Sequence, residues 1–232
     1  MGAIDYSKML RELIENGGAL KRQRIENVTF EESMELLRQI GEKMVPGFVI
    51  DDSNRFVYEN IVRWCMFNRD ALCLDPLTRK ERPADMGKGI YLAGATGTGK
   101  SICLDIINLF IRSMNIHVKD DDTILSLQWK TYRADDICDS YSEDGDLRKF
   151  KTIPILCIQD LGAEPEETVY MGNHRKVMRS LLEHRGDCFN MMTIISSNIP
   201  IDRLQGIYGA RVQSRIYQMC NYYELKGKDR RI

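Results

Sequence analysis

The chain has no C-x-x-C pair, no large excess of charge of either sign, and no apolar run approaching the ~18 residues a membrane helix needs. Its seven cysteines (65, 73, 103, 138, 157, 188 and 220) are odd in number and scattered. That excludes a disulfide framework and a zinc site and fits a reducing compartment. Several lie inside apolar runs, where a thiol behaves as a small hydrophobe. Histidine is scarce, and His117, His174 and His184 lack the spacing of metal ligands. A formal net charge of −1 excludes a protein that coats nucleic acid by bulk charge, while leaving a local basic site open. The first residues, with Asp5 and Glu12, are no signal peptide. A cytoplasmic protein with no membrane partner is expected.

What is present begins with an ordinary globular composition. With 43% hydrophobic and 29% charged residues, 232 residues can build one sizeable core with a small appendage, or two small domains. The most informative stretch is Gly89 to Ser101. Ile90-Tyr91-Leu92-Ala93 has the length and composition of a buried strand. Gly94, Ala95, Thr96, Gly97, Thr98, Gly99, Lys100 and Ser101 then fill every slot of Gly-x-x-x-x-Gly-Lys-Ser/Thr. The glycines let successive backbone N–H groups turn inward onto the oxygens of a polyphosphate. Lys100 is placed for the β/γ-phosphates and the Ser101 hydroxyl for Mg²⁺. Cys103, Ile106, Ile107, Phe110 and Ile111 follow at helical spacing, so a helix N-terminus lies beneath the phosphates.

In chain order, residues 4–16 put Tyr6, Met9, Leu10, Leu13 and Ile14 on one helical face, closed by Asn16-Gly17-Gly18. Thr29 with Glu32 reads as a capping box for a second helix carrying Leu36, Leu37, Ile40 and Met44 and ending at Pro46-Gly47. Two such helices cannot bury their stripes on each other alone, so they pack on the main domain, on another copy, or on a partner. The boundary falls at residues 1–47 against 48–232. Val57, Ile61, Trp64 and Cys65 form the next buried stripe, and residues 69–88, broken by Pro76 and Pro83, read as a loop. Trp129, Lys130, Tyr132 and Arg133 permit a nucleic-acid patch or an edge strand with one face buried, and the second is favoured. Ile153 to Ile158 is a strand without alternation, covered on both sides. It ends in Gln159-Asp160-Leu161-Gly162-Ala163-Glu164, putting a carboxylate where ligands bind in parallel sheets. A helix over Asn173 to Arg185, a strand Met192 to Ile195 closing in Ser196-Ser197-Asn198, two helices (201–208 and 211–220) and a last strand (222–225) complete an alternating α/β pattern.

From about Phe48 to Arg231 these residues resemble the AAA+ ATPases of the DnaC/DnaI helicase-loader and IstB transposition-helper group. Gly94 to Ser101 looks like the Walker A loop, and Gln159 to Glu164 like the Walker B segment. Thr193 to Asn198 is similar to the sensor 1 strand, and Tyr208 to Ile216 to the arginine-finger segment. Gly227-x-Asp229-x-Arg231 looks like the family's closing motif. The resemblance implies a P-loop NTPase of AAA+/ASCE type: a five-stranded parallel sheet of order 5-1-4-3-2, helices on both faces, no C-terminal lid, and the Asn198 strand between those of Lys100 and Asp160. It implies ATP and Mg²⁺ as cofactors. Gly94 to Ser101, with Cys103 and Arg231, would bind nucleotide. Ser101 and Asp160 would hold the metal, and Lys100, Asp160, Asn198 and Arg215 would be catalytic. Arg215, or less favourably Arg211, would reach a neighbouring copy's γ-phosphate, making self-association part of the site.

One position departs from the pattern. Gln159 stands where the first Walker B aspartate is expected, leaving Mg²⁺ to Ser101, the phosphates and water. Asp160 takes the place of the water-polarising acid, and weak turnover is expected. The function implied is an ATP-dependent loader engaging a replicative helicase and single-stranded DNA. A transposase helper, a small-molecule kinase and a non-hydrolysing nucleotide switch are the alternatives.

Overall fold

A computed structural model describes residues 21–22, 28–120, 123–188, 190–227 and 229–230. The first expected helix, 4–16, lies outside them, as does Arg231. A two-residue strand β1 (Lys21–Arg22) precedes helix α1 (Phe30–Met44), which opens on the expected capping box. The Glu32 N–H donates to Thr29 Oγ1 at 3.1 Å, and the Thr29 N–H donates to the Glu32 carboxylate at 2.8 Å. Half of its apolar stripe docks on the main domain: Leu37 and Ile40 are buried in the main core, Leu36 is half-buried and Met44 is exposed. Helix α2 (Arg55–Cys65) buries Val57, Ile61, Trp64 and Cys65.

The segment read as a loop holds two short strands, β2 (Leu72–Leu74) and β3 (Glu81–Pro83). Three-residue strands carry too little periodicity to be seen in sequence. Pro83 is tolerated because β3 is an edge, where a missing N–H breaks no interior ladder. Strand β4 (Gly89–Gly94) and helix α3 (Lys100–Ser113) frame the phosphate-loop segment. A small sheet follows, in which β5 (His117–Asp120) pairs with β1 and with β6 (Thr123–Ser126). Next come β7 (Lys130–Arg133), α4 (Ala134–Asp144), α5 (Arg148–Thr152) and β8 (Ile155–Leu161).

A hairpin, β9 (Thr168–Tyr170) and β10 (Asn173–Arg175), stands where Asn173 was expected to open a helix. Its two-residue tip, Met171-Gly172, has φ of +46° and +80°. That double left-handed turn is what closes a tight hairpin. Helix α6 (Val177–Gly186) starts only after it. Strand β11 (Met192–Ser197), a 3₁₀ turn (Ile201–Arg203), α7 (Leu204–Tyr208), α8 (Ala210–Met219) and β12 (Cys220–Leu225) complete the described elements.

The central sheet runs β3-β2-β12-β4-β11-β8-β7. It corrects the expected five-stranded parallel sheet to a seven-stranded mixed one. The β12-β4-β11-β8-β7 pairings are parallel, while β2 and β3 add antiparallel partners beyond β12. These two strands belong to the mis-assigned loop, which is why they were missing from the expected order. Strands β4, β8 and β11 are buried almost throughout, so alternate residues feed two cores. Ile90, Leu92, Cys157 and Ile194 face the layer of α1, α2 and α3. Tyr91, Ala93, Leu156, Ile158 and Ile195 face that of α4, α6 and α8. Arg185 is fully buried in the second layer, donating to the carbonyls of Phe150, Ile153 and Met192 and to Thr193 Oγ1. Burial lowers its pKa to about 10.

Candidate nucleotide site

The strand tips converge on one cleft of about 780 Å³, a size typical of small-molecule sites. Its floor is the turn between β4 and α3. Gly97 and Gly99 have φ of +81° and +90°, a region in which a side chain is strained. At Gly97 a Cβ would also strike the Asp229 carboxylate, about 2.1 Å away. The Thr98 hydroxyl donates to the Ala95 carbonyl at 2.8 Å, pinning the turn from within.

Lys100 is nearly buried (5% exposed), and its ammonium donates to the carbonyls of Gly94 and Ala95 at 2.8 and 2.9 Å. It also donates to Asn198 Oδ1 at 2.6 Å. Strand β11 lies between β4 and β8, so Asn198, just past its end, meets Lys100 across the strand tips. The two serines before Asn198 fasten those tips together. Ser196 Oγ accepts the Asp160 N–H at 3.1 Å, and Ser197 Oγ donates to the Leu161 carbonyl at 2.6 Å.

Asp160 sits at the tip of β8 with φ of +56°, a strained geometry for a residue with a side chain. Its carboxylate accepts from Arg133 Nη1 at 3.1 Å. Arg133, on the edge strand β7, also pairs with Asp135 at 3.0 Å and holds that carboxyl below its usual range. Trp129, the aromatic of the possible nucleic-acid patch, is buried (4% exposed), which removes it from a stacking surface. Gln159 is nearly buried, and its amide nitrogen donates to Asp105 Oδ1 at 3.0 Å. Burial pushes the Asp105 carboxyl up, and the Gln159 hydrogen bond opposes that shift. Glu164 is turned out of the cleft, accepting from Tyr208 Oη and from the Gly162 N–H.

Lys100, Arg133 and Arg230 therefore face the cleft against a single lining carboxylate, Asp160. Just behind the lining, Asp135 pairs with Arg133 and Asp51 with Arg230, so what suits an anion here is Lys100 together with the backbone N–H groups of the turn. Ser101 lines it as well, so a hydroxyl, a carboxylate and the Gln159 amide are available as hard oxygen donors. Among the described residues no group of three His, Cys, Asp or Glu could hold a metal unaided. Such a donor set suits Mg²⁺, which takes few protein ligands and completes its shell with phosphate oxygens and water.

Two of the expected residues, Cys103 and Arg215, lie away from this chain's own cleft. Cys103 is fully buried and belongs to the core, its thiol against Tyr58, so its side chain does not reach the cleft. Arg215 does not line the cleft of its own chain; it pairs with Asp187 and donates to Gln218. Arg211 pairs with the same carboxylate at 3.4 Å. Arg231 lies outside the described residues, and Arg230 is the tail arginine seen at the cleft. Its N–H donates to the Gly97 carbonyl at 2.9 Å and its guanidinium to Asp51 and Ser53. Sequence reasoning also missed the apolar end of the cleft, Val45 to Val49 with Tyr58 and Leu225. Phe48 meets Tyr58 edge to face at 5.6 Å. The only sequence signal there was the break at Pro46-Gly47.

No family model matches the chain, and no curated protein matches it. Solved structures do. A candidate primosome component from Streptococcus pyogenes serotype M3 is 17% identical with a TM-score of 0.53, over 79% of this chain and 85% of its own. The DnaC helicase loader is 18% identical with a TM-score of 0.50, over 77% and 93%. Domain III of the Thermotoga maritima replication initiation protein DnaA is 16% identical with a TM-score of 0.50, over 78% and 66%. The fold is similar to theirs, an α/β architecture with a mostly parallel central sheet and helices. At these identities the likeness extends to architecture. No helix among the described residues is long and apolar enough to cross a membrane.

Proposed function

We propose that the chain is a Mg²⁺-dependent ATP-binding protein of AAA+ type that acts as a replication helicase loader and hydrolyses ATP slowly. The observation that carries this reading is the contact of Lys100 with Asn198 at 2.6 Å, beside the carboxylate of Asp160. It joins the phosphate loop to the two other strand tips that a γ-phosphate reaction requires. The triphosphate lies along the amides of Gly94 to Ser101, over the first turn of α3. Lys100 exchanges its loop carbonyls for phosphate oxygens, which leaves the Asn198 amide to orient the attacking water. Asp160 accepts that water's proton. Ser101 and Asp160 hold Mg²⁺, which neutralises phosphate charge when bound. Adenine occupies the apolar end beside Phe48 and Tyr58.

Arg215, half-buried on α8 and outside its own cleft, serves a neighbouring copy, where an arginine stabilises the transferring phosphoryl group. The assembled chain engages a replicative helicase and single-stranded DNA. Support for the loader reading comes from the ordered motif set and from the fold shared with DnaC. A non-hydrolysing nucleotide switch is the second reading, favoured by Gln159 in the acid position and by the Arg133 guanidinium on Asp160. Phosphate release from ATP, with and without single-stranded DNA, separates them, with Lys100→Ala as control. DNA-stimulated release supports the loader. Tight ATP binding without release in either condition supports the switch.

A further inference from the structure

Gln159 and Asp105 meet at the back of the cleft, and Asp105 has no part in the chemistry described so far. Asp105 follows Ser101 by four residues on α3, which places both on one face of the helix. Gln159 lines the cleft, and its Nε2 donates to Asp105 Oδ1 at 3.0 Å. An ionised carboxylate accepts and cannot donate, so only the NH₂ end of the amide can face it. The acceptor Oε1 is thereby left for the cleft side. A rotated amide would set oxygen against oxygen and aim two N–H donors at a cation.

We propose that Asp105 is the positioning residue of the Mg²⁺ site. It fixes the Gln159 amide so that its oxygen faces the ion's water shell, and it supplies, one side chain further back, the negative charge that Gln159 lacks. The pair divides between two side chains what a single carboxylate at 159 would do: accept from metal-bound water and offset the cation's charge. Asp105 touches neither ion nor nucleotide and acts through Gln159.

This inference rests on the nucleotide reading above, and its test separates the two. The measurement is equilibrium binding of an N-methylanthraniloyl ATP analogue to the full chain across a Mg²⁺ titration, with parallel points in EDTA. Asp105→Asn is expected to raise the Mg²⁺ concentration for half-maximal enhancement by about tenfold, the low end for outer-shell partners. Metal-free binding and the melting midpoint stay unchanged. The exchange variant, Asp105→Asn with Gln159→Glu, moves the carboxylate to β8 at unchanged side-chain lengths and leaves an amide to donate to it. It should return to within about threefold of wild type, since the same donor–acceptor pair is restored. An Asp105→Asn protein that titrates Mg²⁺ like wild type overturns the proposal while leaving nucleotide binding intact. Analogue that does not bind folded wild type overturns both. Where Asp105→Asn fails to fold, Gln159→Met decides: with Asp105 kept and the amide oxygen removed, a rise of about tenfold in the Mg²⁺ requirement supports the pairing, and a wild-type titration refutes it.

Discussion

The two strand tips that flank β11 are built by different rules. At the β4 tip every slot of the phosphate loop is filled, Gly97 and Gly99 take the left-handed backbone the turn needs, and Lys100 lines the cleft. At the β8 tip an amide stands at the first acidic position, the next residue is strained at φ +56°, and an arginine from the neighbouring strand holds its carboxylate. Binding and hydrolysis are separable demands: the first needs donors that converge, the second an unencumbered base. In the proposed function this cleft would meet the first demand and would meet the second under a restraint.

The comparison breaks most sharply at Asp160. Asp160→Asn is expected to lower phosphate release by about 10³-fold, within the range for loss of a general base. ATP affinity changes far less, which single-turnover kinetics beside equilibrium binding will read. Lys100→Ala attacks the other tip. Loss of a charged hydrogen-bond donor to phosphate, worth about 2–3 kcal/mol, should weaken ATP binding roughly 100-fold in a calorimetric titration. Asn198→Ala, which joins the two, should cost about tenfold in hydrolysis, near one hydrogen bond, with the folded-state melting curve unmoved. Arg133→Ala tests the restraint. Removing an exposed partner worth about 0.7 kcal/mol should raise phosphate release roughly threefold. A fall would show instead that Arg133 serves the reaction.

The β4 tip was legible in the sequence because its residues are contiguous: eight positions specify turn, charge and helix entry together. The Thr29–Glu32 capping box was legible for the same reason. The β8 tip was legible only in part. Gln159 declared itself as a departure, yet its partner Asp105 lies 54 residues away, on a helix whose remaining signal was apolar. Arg133 belonged to a strand read only for its buried face, and its contact with Asp160 spans 27 residues. Lys100 and Asn198, 98 residues apart, were each identified, while their hydrogen bond depends on β11 being threaded between β4 and β8. Two strands of the central sheet went unseen because three residues carry no readable period, and the second strand of the hairpin, Asn173–Arg175, was read as the start of a helix. Local chemistry was readable; what the sheet brings together from a distance was not.

A single-turnover experiment that follows retained nucleotide and released phosphate in one sample gives the most direct test. Chain in excess over labelled Mg-ATP should capture the nucleotide at once and release phosphate slowly, with Asp160→Asn still capturing nucleotide and releasing almost none. Folded chain that retains no nucleotide, or an Asp160→Asn protein that releases phosphate at the wild-type rate, would contradict a cleft complete for binding and restrained in hydrolysis.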